Sequence, residues 1–237
     1  MHLRTILVLG RVSNLPTVWS NVLAAALVAG VDVKAPGVWL MAAAASLLYT
    51  GGMYLNDWAD APSDREAKSS RPIPRGQASR APVGWLAGLQ LALGFAGMLA
   101  SGASLTGSIL LLALIVAYNL THRAFAGSVV LMGGCRAALW FCGASLAGGA
   151  GVIRHPAILT GVLAVGVYFT IVSCLARGED RPGKRRFPIP SLLAGGIVLD
   201  MILVRFLKPE ILTAQTILVF AAFFVLTRVQ QRYVPAT

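Results

Sequence analysis

From Asn56 to Asp64 the chain reads NDWADAPSD, which puts three carboxylates and an amide into nine residues at the end of an apolar run. Asn56, Asp60 and Asp64 are spaced four apart, and Asp57 stands three and seven residues before the two later aspartates. On a helix all four would project from one side. Carboxylates held that close repel one another. A divalent cation among the oxygens removes the repulsion, and hard oxygen donors with no Cys or His in the stretch point to magnesium. The competing reading is a solvated helix end with incidental acids. Against it, the chain has only nine acidic residues in 237 and places four of them, Asp57, Asp60, Asp64 and Glu66, within eleven positions. Pro62 interrupts the pattern and is expected to break or kink the helix after about Trp58. Asn56, Asp57 and Asp60 therefore share a face, while Asp64 is expected to reach in from a turn or a new helix start.

Basic residues follow at once: Arg65, Lys68, Arg71, Arg75 and Arg80. Acids alone would suit a simple cation and bases alone would suit lipid headgroups. Together they suit a diphosphate, because magnesium bridges carboxylates and phosphate oxygens while Arg or Lys neutralises the remaining charge. Arg71 and Arg75 flank Pro72 and Pro74, which stiffen the segment and limit how far the arginines wander.

These groups must be positioned by a membrane protein. The chain is 57% hydrophobic and only 12% charged, with a mean hydropathy of +0.73, far from the roughly one quarter charged residues of soluble domains. Apolar stretches run over 15–31, 37–55, 82–99, 105–120, 129–149, 156–176, 189–204 and 211–226. Eight transmembrane helices in one domain spanning 1–237 are expected, an all-α polytopic bundle. Glycine and alanine are spread through the spans rather than collected in linkers, which suits close helix packing. The net charge of +11 follows from topology. With the N-terminus inside, 15 of the 20 basic residues fall on one side, including both charged loops, 57–80 and 177–188, and the C-terminus. That side is expected to be cytoplasmic, in a bacterial inner membrane or its equivalent, and nucleic acid is not an expected partner. Cys135, Cys142 and Cys174 have neither metal-knuckle nor redox spacing and read as packing residues. The first apolar run lacks a cleavage site and reads as an uncleaved helix.

Each charged loop follows a helix pair whose first member carries an arginine near its start, Arg11 or Arg136. The chain thus resembles a four-plus-four repeat whose loops close over one central cavity. A charge inside a span, as at Arg136, faces either a cavity or a structural partner. Asp200 is expected to pair with Arg205, one turn away. His122 and His155 stand at helix ends, too isolated to be ligands.

The order N-D-x-x-D-x-x-x-D followed by R-P-x-P-x-G (Arg71 to Gly76) resembles the first aspartate-rich motif of the UbiA superfamily of intramembrane prenyltransferases. Arg11, Asn14 and Pro16 resemble its R-x-x-N-x-P helix entry, and Tyr118 with Arg123 its diphosphate-holding pair. The resemblance implies a helical bundle that binds a prenyl diphosphate through Mg2+, ionises it and passes the allyl group to a hydrophobic, aromatic or cyclic acceptor. It implies metal-site roles for Asn56, Asp57, Asp60 and Asp64, catalytic roles for Asp60, Asp64 and Arg71, and substrate contacts for Arg11, Asn14, Lys68, Tyr118, Arg123, Arg136 and Arg177. Tyr49, Tyr54, Trp140, Phe141, Tyr168 and Phe169 are candidates for a wall that shelters the allylic cation.

The family's second aspartate motif is depleted here. YFTIVSCLARGEDRPGKRRFP keeps only Glu179 and Asp180. Three readings stand: one magnesium, with Arg177, Lys184 or Arg185 supplying the second positive charge; a reduced second site supplied by Glu179 and Asp180; or altered or lost catalysis. The weak second motif and Arg136 are similar to a divergent branch, the EboC-type proteins. A ninth span of many relatives has no counterpart, which either opens the cavity laterally or is compensated by a partner subunit or a homo-oligomer. Outside the enzyme class, the alternatives are a cation-binding transporter or a non-catalytic membrane partner with a vestigial site.

Overall fold

A backbone inside hydrocarbon has no water to bond, so each apolar run must satisfy its own N–H and C=O groups as a helix. The computed structural model describes residues 1–67, 71–179 and 187–235. Among these residues every regular element is helical: a short α1 (Leu3–Leu9), then α2 (Leu15–Val28), α3 (Pro36–Glu66), α4 (Arg80–Ala100), α5 (Leu105–Thr121), α6 (Ser128–Ser145), α7 (Pro156–Glu179), α8 (Ile189–Leu207) and α9 (Ala214–Gln230). The eight long helices coincide with the eight apolar runs. Five are long and apolar enough to cross a membrane; α2, α5 and α9 are shorter apolar helices. The chain is an integral-membrane helical bundle.

Consecutive helices pack together in both halves, α2 to α5 and α6 to α9. The first helix of one half, α2, lies against the first of the other, α6. Nearly every side chain of α2 from Pro16 to Val28 is buried, so it is the central post of the bundle. The outer helices α4 and α9 expose apolar residues such as Trp85, Leu89, Leu218 and Val225, as a lipid-facing surface does. Close approach of α4 to α3 depends on Gly94, where a Cβ would lie 2.8 Å from the Leu48 side chain and 2.9 Å from the Ala44 carbonyl. All three cysteines are free.

At 31 residues, α3 is about 46 Å long, well beyond a hydrocarbon core of about 30 Å. Its last turns carry the acid cluster. The expected break at Pro62 does not occur: α3 continues to Glu66, and Asp64 belongs to the same helix as Asp60. Proline removes the N–H that would bond the carbonyl four residues back. That carbonyl, of Trp58, instead accepts a hydrogen bond from Arg80 Nε at 3.1 Å.

Candidate active site

Asn56, Asp57, Asp60 and Asp64 are all buried on α3, as the four-residue spacing predicts for one helical side. The segment after α3 is pinned to the bundle by Ile73 and Ala78, which join Leu9, Tyr54 and Val83 in a small apolar cluster. A turn closed by Gln77 N–H to the Pro72 carbonyl (2.9 Å), with Gly76 at φ +73°, fixes its path. Arg71 is thereby set against the acids. Its Nη1 donates to Asp60 Oδ2 and Asp64 Oδ2, each at 2.9 Å, and to Asp57 Oδ1 at 3.3 Å. From the other side, just past α5, Arg123 forks onto the same pair: Nε to Asp60 Oδ1 at 2.6 Å and Nη2 to Asp64 Oδ1 at 2.7 Å. The Asp60 hydrogen bond raises the Arg123 pKa, and its charge is permanent. Burial works against the charge of Arg71, but its bond to Asp60 and the charges of Asp57 and Asp64 more than offset this and raise its pKa.

Arg11 completes the cationic rim. It is the single non-glycine residue with positive φ (43°) among those described. Its guanidinium contacts Met53 Sδ at 3.2 Å and lies 3.9 Å from Asp57. Held strain of this kind clusters at functional sites.

Despite its place at a helix end, His122 is not isolated but belongs to the site. Its Nε2 is 3.2 Å from Asp60 Oδ1, and its ring stacks on Tyr118 with centroids 5.3 Å apart. An ionised Asp60 can only accept, so Nε2 is the donor toward it, while Nδ1 is buried without a hydrogen-bond partner among the described residues. The i, i+4 relation to Tyr118 was the one sequence signal for it.

These groups form the mouth of a cavity of about 870 Å³. Below the mouth it is walled by apolar side chains that include Leu48, Leu111, Ile115, Leu139 and Leu193. Arg11, Asn14, Asn56, Asp60, Asp64, Arg71, Tyr118, Arg123, Arg136 and Arg177 all line it; Asp57 does not. Arg177, across from the acids at the end of α7, donates to the Ser128 hydroxyl (2.9 Å) and the Phe125 carbonyl (3.3 Å). Asn14 donates to Tyr49 Oη at 3.2 Å and accepts from Gln231 Nε2 at 3.3 Å. Lys68, Asp180, Lys184 and Arg185 lie outside the described residues, and Glu179 is placed only as the last residue of α7. Of the six aromatic residues expected around an allylic cation, Tyr49 and Phe169 line the cavity. Trp140 is buried in the α2–α6–α7–α8 core, Tyr54 bonds the Ile6 carbonyl, Tyr168 the Leu192 carbonyl, and Phe141 packs at Gly107.

Arg136, midway along α6, is buried at the cavity wall with its guanidinium 4.5 Å from the Phe169 ring centroid. It donates to the Thr17 carbonyl, the Thr17 hydroxyl and Asn21 Oδ1 at 3.2, 2.9 and 3.1 Å. Asn21 Nδ2 passes the contact on to Asp200 Oδ2 at 2.7 Å, which also accepts from Ser20 at 2.6 Å. The expected Asp200–Arg205 pair is therefore not formed. Residues five apart on a helix diverge by about 140°, and Arg205 is exposed while Asp200 is fully buried.

The donor set of the mouth, three carboxylates and an amide on one helix, is all hard oxygen and fits magnesium chemistry. Among the described residues no three His, Cys, Asp or Glu side chains are grouped as ligands of one ion. Arginine nitrogens stand between the carboxylates instead.

No curated protein matches the sequence. A solved structure of digeranylgeranylglyceryl phosphate synthase in membranes has a similar fold, with a TM-score of 0.61 and 18% identity over 97% of this chain and 88% of that one. The model of the UbiA prenyltransferase family matches residues 14–235, so that the chain belongs to this family of membrane prenyltransferases.

Proposed function

We propose that the protein transfers a prenyl group from a prenyl diphosphate to a hydrophobic or cyclic acceptor within the membrane, with magnesium at the α3 acids. One observation carries the reading: Asp60 and Asp64, with Asp57 behind them, meet Arg11, Arg71 and Arg123 at the polar mouth of a cavity whose remaining wall is mostly apolar, with Arg136 set in it. A charged diphosphate with a hydrocarbon tail has that polarity.

Asp60, Asp64 and Asn56 would hold the metal, with Asp57 behind them. When bound, magnesium supplies positive charge to the diphosphate oxygens and assists departure of the leaving group. Arg71 and Arg123, already beside the carboxylates, bind the same oxygens and stabilise the negative charge that grows as the C–O bond breaks. Arg177 closes on the diphosphate from α7 and supplies positive charge where a second acidic motif is depleted. His122 donates to Asp60 and keeps it oriented. The apolar wall excludes water, and Phe169 and Tyr49 present ring faces to the allylic fragment until the acceptor attacks. The basic mouth is read as cytoplasmic from the distribution of Lys and Arg.

Purified protein with radiolabelled geranylgeranyl diphosphate, with and without EDTA, tests the reading. Wild type is expected to retain the label only with magnesium, and Asp60→Ala and Arg71→Ala are expected to lose it by at least about tenfold. Equal retention by wild type and Asp60→Ala would remove the metal-site assignment.

A further inference from the structure

Pro62 falls between the two carboxylates that Arg123 bridges, Asp60 before it and Asp64 after it. Pro62 removes one rung of the ladder that joins the Asp64 turn to the turn carrying Asp57 and Asp60, and leaves the Trp58 carbonyl without its helical donor. The orphaned Trp58 carbonyl is taken by Arg80 Nε at 3.1 Å, and the Arg80 guanidinium lies 4.7 Å from the centroid of the Trp58 ring. Arg80 opens α4, whose first turn holds no acidic residue. A cation at a helix N-terminus is disfavoured by the helix dipole, so this side chain gains nothing from its own helix and turns back onto α3. Gly84, one turn further along, makes room for the contact: a Cβ there would lie 2.7 Å from Trp58 Nε1. None of Arg80, Gly84 or Trp58 lines the cavity.

We propose that Arg80 is a positioning residue for the acid cluster. It replaces the backbone hydrogen bond that Pro62 removes and keeps Asp64 in helical register with Asp60, so that both carboxylates face the same point of the cavity mouth. The inference rests on reading that mouth as the diphosphate site. An exposed arginine paired with a surface acid contributes little. Arg80 differs because its acceptor is a main-chain carbonyl without its helical donor, at the step of α3 that Pro62 weakens.

The proposal makes Arg80 conditional on Pro62, and a double-mutant cycle reads that condition. Wild type, Arg80→Ala, Pro62→Ala and the double variant would be reconstituted in nanodiscs. Calorimetry would give the affinity of farnesyl thiolodiphosphate with magnesium, and hydrogen exchange the protection of amides 63–66. Arg80→Ala is expected to weaken binding by about tenfold, the scale of one hydrogen bond from a charged donor, and to speed exchange of those amides. Pro62→Ala restores the N–H and is expected to bind as wild type. In that background Arg80→Ala is expected to change affinity less than about twofold. An equal loss in both backgrounds overturns the proposal, since stacking on Trp58 or long-range attraction of the anion does not depend on residue 62. So does an Arg80→Ala variant that matches wild type. Should Arg80→Ala fail to fold, Arg80→Gln, which keeps a donor but not the charge, is expected to retain most of the affinity; a full loss there counts against the hydrogen bond. If wild type binds no diphosphate, the donor-site reading fails, and the exchange measurement alone decides the role of Arg80.

Discussion

Arg71 offers one nitrogen, Nη1, to three carboxylates, and Arg123 spans two of the same three. With Arg11, three cations balance Asp57, Asp60 and Asp64, so the mouth is close to neutral before any ligand arrives. Magnesium alone would compete with arginines for the carboxylates, and a diphosphate alone would meet arginines already engaged. Arriving together, the two would release each other's binding groups. His122 adds a directional contact, and His122→Ala is expected to weaken magnesium-dependent donor binding about fivefold with no loss of thermal stability. Binding unchanged from wild type in that variant would reduce His122 to packing. Arg11→Gly should relieve the left-handed strain, leaving stability equal or higher by up to about 1 kcal/mol, while donor affinity falls; thermal unfolding and donor titration check the two halves. The acid spacing was readable from sequence because helical neighbours are four residues apart. The His122–Asp60 contact was not, because it joins residues from the ends of two separate helices.

At the scale of elements, α3 carries the acid cluster and α2 carries the bundle. The sequence marked the apolar part of α3 but not its run to Glu66, because the repair of Pro62 comes from Arg80 in the next helix. Asp200 was misread for a related reason: proximity in sequence favoured Arg205, whereas burial joins it through Asn21 to Arg136 and so couples α8, α2 and α6. Removing one member of such a buried set leaves the other charge uncompensated. Arg136→Met and Asp200→Asn are each expected to destabilise by about 3 kcal/mol, and the double variant by less than the sum; unfolding in detergent micelles measures it. Additive losses would show that the two charges are not coupled. Gly94→Val should separate α3 from α4 and destabilise by about 1–3 kcal/mol, visible in the same assay.

For the whole molecule, the eight apolar runs were legible as helices, since length and hydropathy decide what a bilayer accepts, while the one-sided basic charge remains an expectation about orientation. Which aromatics wall the cavity was not legible, because cavity aromatics and packing aromatics share one composition; only Tyr49 and Phe169 of six candidates reach it. The ends of α3, α5 and α7 and the starts of α2, α6 and α8 lie around the mouth, and the charge bias predicts that it faces the cytoplasm. A reporter fused after Ser104 is expected on the external face, and a cytoplasmic signal there would reverse the orientation. The central claim, that the α3 acids and their arginines bind a prenyl diphosphate together with magnesium, is tested most directly by linkage. Titration of farnesyl thiolodiphosphate into wild-type nanodiscs should give an affinity at least about tenfold higher with magnesium than with EDTA. Magnesium affinity should rise by the same factor when the diphosphate is present. Equal affinities with and without magnesium would contradict the account.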